Sequence, residues 1–322
     1  MGTEWRISFG AGNKAWEQLQ NSQSEQHLQL RNSIEQELER INSLMSTWDP
    51  QSALSLFNAS PSTKPIPWHT DSLTVLNAAL AVSKATEGAF DVTRGKVFEL
   101  WGFSANEPSN AAPSEDEIKK ALLHSGWESV LVGERNHVSK RYSELSIDLS
   151  SIAKGFAVDQ LGAVLESQGV LHYVVNIGGE IRVRGERSEN NAWRIGVEQP
   201  DTKVASGLEL GESHLATSGS YRNVRIVDGQ RISHIVDGRT GKPITHDLVA
   251  ATVLHESTLL ADAWSTAYMV IGAEQAQVHA QNNGIAVQLT RLKAAPVDTS
   301  KPPEFTVWQS PEWLKYPSVH ID

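Results

Sequence analysis

Along residues 24–45, apolar side chains recur at Ile34, Leu38, Ile41 and Met45, steps of four, three and four that run one stripe down an α-helix. Asp49-Pro50 stops or turns it. Pro61, Pro65 and Pro67 mark a loop ending near Trp68, after which Thr70 or Asp71 is expected to cap a second helix with Leu73, Leu76 and Leu80 on one face. Trp5 to Phe9 alternates as a strand does. Gly88 to Gly102 breaks the helical period, and Pro108 to Pro113 reads as loop. Ser114-Glu115-Asp116-Glu117 is a capping-box pattern that opens a short helix closed by Gly126.

Segments near 128–132, 137–142 and 145–149 alternate like a β-meander, followed by a helix at about 152–168 and a strand from Leu171 to Val175. Short strands fill the chain to about 254, with Asp228-Gly229 as a hairpin signal. Helices at about 256–270 and 273–282 precede a strand, Ile285 to Leu289. The Pro-rich tail, about 291–322, carries Trp308 and Trp313 and is expected to lie over the surface. Strands mixed with segregated helices argue α+β rather than a doubly wound sheet. The expected organisation is one catalytic domain over 1–322, with a helical subdomain at about 24–125 and a β-rich remainder.

Composition narrows the chemistry. The 322 residues hold no cysteine, which excludes disulfides, thiolate metal sites and a cysteine nucleophile. A net charge of −10 argues against a general nucleic-acid surface. No run of 18 apolar residues spans a bilayer. Met1-Gly2-Thr3-Glu4 leads straight into the first strand, so no signal peptide is expected; the start is either cytoplasmic or a mature end lacking its export signal.

Four segments put polar or small residues where a core would be apolar. Asp148-Leu149-Ser150-Ser151-Ile152-Ala153-Lys154-Gly155 joins a strand to a helix N-terminus, where free N–H groups and Lys154 attract anions; an ordinary N-cap with a surface lysine explains it too. Asn176-Ile177-Gly178-Gly179-Glu180 allows close backbone approach, or is a plain hairpin turn. Ala216-Thr217-Ser218-Gly219-Ser220-Tyr221-Arg222 suits phosphate contacts, or is a polar loop. In Leu259-Leu260-Ala261-Asp262-Ala263-Trp264-Ser265-Thr266, an acid inside an apolar helix needs a cation or donor, and Thr266 shares its face. Oxygen ligands of this kind suit a hard ion such as Mg2+; an aspartate paired to an arginine is the alternative. His234 is either a structural strand histidine or a base working near neutral pH.

Together these segments resemble the ApbE family, the FAD:protein FMN transferases. The matching pieces are Met45-Ser46-Thr47-Trp48, Glu87 to Thr93, Leu100-Trp101-Gly102-Phe103, Asp148 to Asp159, Asn176 to Glu180, Ala216 to Arg222, Ser233 to Asp237 with Thr240-Gly241, and Ala261-Asp262-Ala263 with Ser265-Thr266-Ala267. The resemblance implies an ApbE-like, T-fold-related architecture with FAD in a cleft between subdomains. It implies a Mg2+-dependent enzyme that splits the FAD pyrophosphate, transfers FMN to a threonine or serine hydroxyl and releases AMP. Implied targets are subunits of membrane flavin electron-transfer complexes, and the implied location is periplasmic, often through an N-terminal lipid anchor on a cysteine that this chain lacks.

Carried over by position, the resemblance implies a metal site of Asp262, Thr266 and the backbone oxygen of Ser151. It implies FAD contacts at Met45, Ala89, Phe90, Asp91, Asp148, Lys154, Gly178, Gly179, Ser218, Gly219, Ser220, Tyr221, His234 and Ile235. Arg94-Gly95-Lys96 stands where many members have Val-Gly-Pro, and Ser265 where some have another aspartate. Phosphoryl transfer needs phosphate charge neutralised and a base for the hydroxyl proton; His234 is the first candidate and Asp148 the second. Two rival readings are a hydrolase that gives FMN and AMP, and a carrier that keeps FAD intact.

Overall fold

The computed structural model describes residues 2–13, 19–103, 111–197, 200, 206–221, 224–227, 230–293 and 303–320. Helix α1 (Glu25–Met45) starts where Ser24 Oγ accepts the His27 N–H at 3.2 Å. It buries Leu30, Ile34, Ile41 and Met45, each contributing roughly 1.5–3 kcal/mol by leaving water. A short helix missing from the periodicity, α2 (Ala53–Ala59), follows Asp49-Pro50, capped by Ser52. Helix α3 (Thr70–Ala85) is capped by His69 rather than Thr70 or Asp71, because the imidazole accepts the Asp71 N–H. Its most buried face is Val75, Leu76, Ala79 and Val82, with Leu73 and Leu80 at the margin. Within the Gly88–Gly102 break lies α4 (Gly95–Leu100), and the capping box opens α5 (Glu115–Leu123) as expected.

Seven antiparallel strands form the main sheet. Their spatial order is β1 (Trp5–Phe9), β5 (Tyr173–Ile177), β6 (Glu180–Arg184), β9 (Ser213–Gly219), β14 (Leu248–His255), β15 (Ala286–Leu292) and β16 (Phe305–Gln309). Helices α6 (Ala153–Ser167) and α7 (Thr258–Ile271) cover one face, and α7 leads into α8 (Ala273–Asn283). A small sheet of β7 (Trp193–Val197), β8 (Ser206–Leu210) and β17 (Ser318–Val319) closes a second core over the other face. The first core is contiguous from Leu30 of α1 through Val75 of α3 to Leu161 of α6 and Tyr268 of α7, so the N-terminal helices share the core of the sheet.

Three local expectations change. The meander has two strands, β3 (Val130–Val132) and β4 (His137–Lys140), with β2 (Ile66–Pro67) as the third partner of its sheet. Segment 145–149 runs instead beside 92–95, with Asp148 N donating to Val92 O at 2.7 Å and Gly95 N to Ser146 O at 3.2 Å, while Asn58 donates to Ile147 O and accepts from Ile147 N, both at 2.8 Å. The tail does not merely lie over the surface, since Phe305–Gln309 is an edge strand of the main sheet and Trp313 is buried in the second core. Ser213–Gly219 is strand rather than polar loop, so Ser218 belongs to the sheet. The hairpin of β10 (Val224–Val227) and β11 (Gln230–Ser233) forms, and β12 (Val236–Asp237) pairs with β13 (Lys242–Pro243). Pro108, Arg222, Asp228, Gly229 and residues 294–302 of the tail lie outside the described residues.

Candidate active site

Two buried acids meet around one lysine. Glu180 opens β6, Asp262 sits in the second turn of α7, and Lys154 sits in the first turn of α6. Lys154 Nζ donates to Glu180 Oε1 at 2.8 Å and to the two Asp262 oxygens at 3.2 and 3.3 Å. Asp262 Oδ2 also accepts the Gly155 N–H at 2.9 Å, placing the carboxylate on the positive end of α6. Asp262 and Glu180 are 1% and 3% exposed, whereas the Lys154 side chain is 29% exposed. The second Glu180 oxygen is buried without a hydrogen-bond partner.

These surroundings set the charges. Burial opposes the Lys154 ammonium, but Asp262 and Glu180 outweigh it and hold its pKa above that of an ordinary lysine. Burial and the neighbouring Asp262 push Glu180 up to about 7 against the pull of Lys154.

Glycine makes the convergence geometrically feasible. At Gly155 a Cβ would stand 2.2 Å from the Thr258 carbonyl oxygen, so only hydrogen lets α6 and α7 approach this closely. Further along α6, Asp159 caps α7: its carboxylate accepts Thr258 N at 3.1 Å and Leu259 N at 2.9 Å, and pairs with His214 Nδ1 at 3.1 Å. Burial works against that carboxylate, yet these donors hold Asp159 below its usual range.

One turn beyond Asp262, Thr266 Oγ1 hydrogen-bonds Ser218 Oγ at 2.9 Å, and Ser218 Oγ lies 2.8 Å from Ser265 Oγ. Strand alternation explains the pairing: Ser218 faces α7 while Thr217 points the other way to Thr252. Gly178 and Gly179, with φ of +67° and +113°, make the tight turn that delivers Glu180 to this face. A cavity of about 860 Å³ opens at the same turn, but Ile181, Leu215 and Thr217 line it, so it lies on the opposite face of the sheet.

A second cluster surrounds Gly88 to Asp91. Gly238 N donates to Ala89 O at 2.8 Å, bringing the segment after His234 onto this turn. Asp91 accepts from Thr93 and from Trp127 N, and pairs with Arg94 at 3.2 Å. Burial pushes its carboxyl up despite Arg94. Asp148 N donates to Val92 O at 2.7 Å, linking this cluster to the start of α6. His234 lies edge-on to Phe103, with ring centroids 6.3 Å apart, and the Arg225 guanidinium stands 6.0 Å from the same ring.

The ApbE family model matches residues 1–289. A protein named FAD:protein FMN transferase from Escherichia coli strain K12 is 32% identical over 98% of this chain and 87% of its own length. One of the same name from Vibrio cholerae is 41% identical over 80% of this chain and 78% of its own. The chain belongs to the ApbE family. Its fold matches flavin transferase ApbE from Vibrio cholerae with a TM-score of 0.84 at 34% identity, covering 98% of this chain and 96% of that one. The apo form of Pseudomonas stutzeri flavinyl transferase ApbE gives 0.81 at 29% identity, covering 97% and 96%.

The ApbE motif residues gather unequally. Lys154, Ser218, Asp262 and Thr266 join one connected centre, and Gly178 and Gly179 adjoin it through Glu180. Ser151 lies in the turn just before α6, and Asp148 begins that turn by accepting the Ser150 N–H at 2.8 Å. Met45, Ala89, Phe90 and Ile235 belong to the first core, with their side chains buried. Gly219 packs so closely under the Tyr221 ring that a Cβ would stand 2.5 Å from it, and Ser220 N donates to Val249 O. The charge added by Arg94 is taken up locally by Asp91, Ser125 and Leu122 O.

Sequence reasoning missed Glu180 as a site residue, and also Gly155 and Asp159. Glu180 was detectable from alternation: Ile181 and Val183 face the second core, so Glu180 and Arg182 must face α6. No group of three or more His, Cys, Asp or Glu side chains suited to a metal occurs among the described residues. The mixed oxygen set still fits a hard divalent cation: the Asp262 carboxylate, the unpartnered Glu180 oxygen and the Thr266 and Ser218 hydroxyls are all hard donors.

Proposed function

We propose that this chain transfers FMN from FAD to a hydroxyl of a target protein, releasing AMP. The observation that carries the reading is the buried Asp262–Lys154–Glu180 centre, built on ApbE motifs at the N-terminus of α6. The family's named relatives and the ApbE structures support it. In this reading Asp262 and Thr266, with the Ser151 backbone oxygen, would hold Mg2+, and Glu180 would add a further oxygen. When bound, Mg2+ would neutralise charge on the phosphates.

The chain's own groups do the rest. The N–H groups at the start of α6 and the Lys154 ammonium receive the pyrophosphate. The target hydroxyl oxygen bonds to the FMN phosphorus as the phosphorus–oxygen bond to AMP breaks, and AMP departs with the bridging oxygen. His234 takes the hydroxyl proton; Asp148 is second because its turn already engages one oxygen. The target is a threonine or serine of a membrane flavin electron-transfer subunit, met in the periplasm. No helix among the described residues is long and apolar enough to cross a membrane.

Incubating a candidate target with this protein, FAD and Mg2+ tests the reading by mass spectrometry. The target should gain the mass of FMN less water, with AMP in equal amount, and replacing its acceptor threonine by valine should stop labelling. Free FMN with no labelled protein would favour the hydrolase, and intact FAD would favour the carrier. Label that survives the valine change at that site would overturn direct transfer to the hydroxyl.

A further inference from the structure

The cation now in the acid centre is the protein's own. Lys154 Nζ lies within 3.3 Å of both Asp262 oxygens and 2.8 Å from Glu180 Oε1. We propose that Lys154 is a resident counter-ion which a divalent cation must displace: the ammonium neutralises the acids while the centre is metal-free, and withdraws when the ion enters. The inference rests on the metal reading above.

Three observations carry it. The oxygens holding Lys154 include those assigned to the metal, and two cations cannot crowd onto one carboxylate without strong repulsion. Lys154 is the exposed member of the trio, 29% against 1% and 3%, so its flexible stem has an exit while the acids have none. The lysine also leaves the centre incomplete, because the other Glu180 oxygen is buried with no donor. An ion reaching both acids supplies what that oxygen lacks. The freed ammonium then stands at the start of α6, where an anionic phosphate is attracted by the same helix end.

Such competition lowers apparent metal affinity by the fraction of molecules whose site is open. Mn2+ titration of the metal-free protein without FAD, followed by calorimetry, measures it. Lys154→Gln and Lys154→Met should lower the Mn2+ dissociation constant at least about tenfold. They should also melt earlier in EDTA and gain more in Tm from Mn2+ than wild type does. Equal or weaker Mn2+ binding in variants of a wild type that binds the ion would overturn the proposal and leave the metal reading standing. Failure of wild type and variants alike to bind Mn2+ would overturn both.

Displacement is tested separately in the wild type, which also covers variants that fail to fold. Reductive methylation mapped by mass spectrometry should label Lys154 several-fold more with Mn2+ than without. Lys119, 73% exposed, should not change. Unchanged or reduced labelling of Lys154 at saturating Mn2+ would refute displacement.

Discussion

A single methyl group at residue 155 tests how α6 and α7 hold the acid pair. In Gly155→Ala the new Cβ would lie 2.2 Å from Thr258 O, 2.7 Å from Thr258 C and 2.8 Å from Asp262 Cβ. These partners are backbone atoms and a β-carbon, so no side-chain rotation relieves the overlap, and the helices must part. Overpacking of this kind costs roughly 1–3 kcal/mol. Parting also breaks the 2.9 Å bond from Gly155 N to Asp262, a charge-assisted contact worth about 1.5–3 kcal/mol. The better helix propensity of alanine returns about 1 kcal/mol. The expected net loss is therefore about 1.5–5 kcal/mol, with flavin transfer falling as Asp262 moves. Urea unfolding followed by tryptophan fluorescence measures the loss. Gly211→Ala is the control, because nothing lies within 4 Å of a Cβ there. A Gly155→Ala protein within about 0.5 kcal/mol of wild type, the scatter of a neutral surface change, would refute the close approach.

Asp159→Ala removes the acceptor for Thr258 N and Leu259 N at the start of α7 and should cost about 1–2 kcal/mol, read as a lower Tm; an unchanged melt would show that the cap carries nothing. Burial holds His255 below its ordinary pKa, so under about pH 6.5 the unfolded chain takes up a proton that the native one refuses, and stability falls as pH drops. His255→Leu should flatten the fall below about pH 6.5, and urea-derived stabilities that drop equally with pH in both proteins would contradict this. Asp262→Ala should abolish Mg2+-dependent turnover while FAD still binds, and should destabilise by about 1–3 kcal/mol because Glu180 still holds Lys154; full activity at limiting Mg2+ would remove Asp262 from the metal site.

The sequence by itself determined the elements whose signals are local. The stripe from Ile34 to Met45, the Ser114–Glu117 capping box, the alternation of Trp5 to Phe9 and the two helices after residue 256 all recur in the structure. Motifs also marked Lys154, Ser218, Asp262 and Thr266 as chemistry. Tertiary structure decided who partners whom. Asp262 needed a cation, but nothing within its own helix could say that the cation is Lys154, 108 residues away, shared with Glu180. Segment 145–149 alternates like a strand, yet Asn58 takes the hydrogen bonds of Ile147, and burial recruits Trp313 from a tail that reads as surface. Periodicity reports which face a residue uses, because that depends on a few neighbouring dihedrals. Ion pairs, close glycine contacts and shared protons depend on distances between elements far apart in the chain, and packing alone sets those distances.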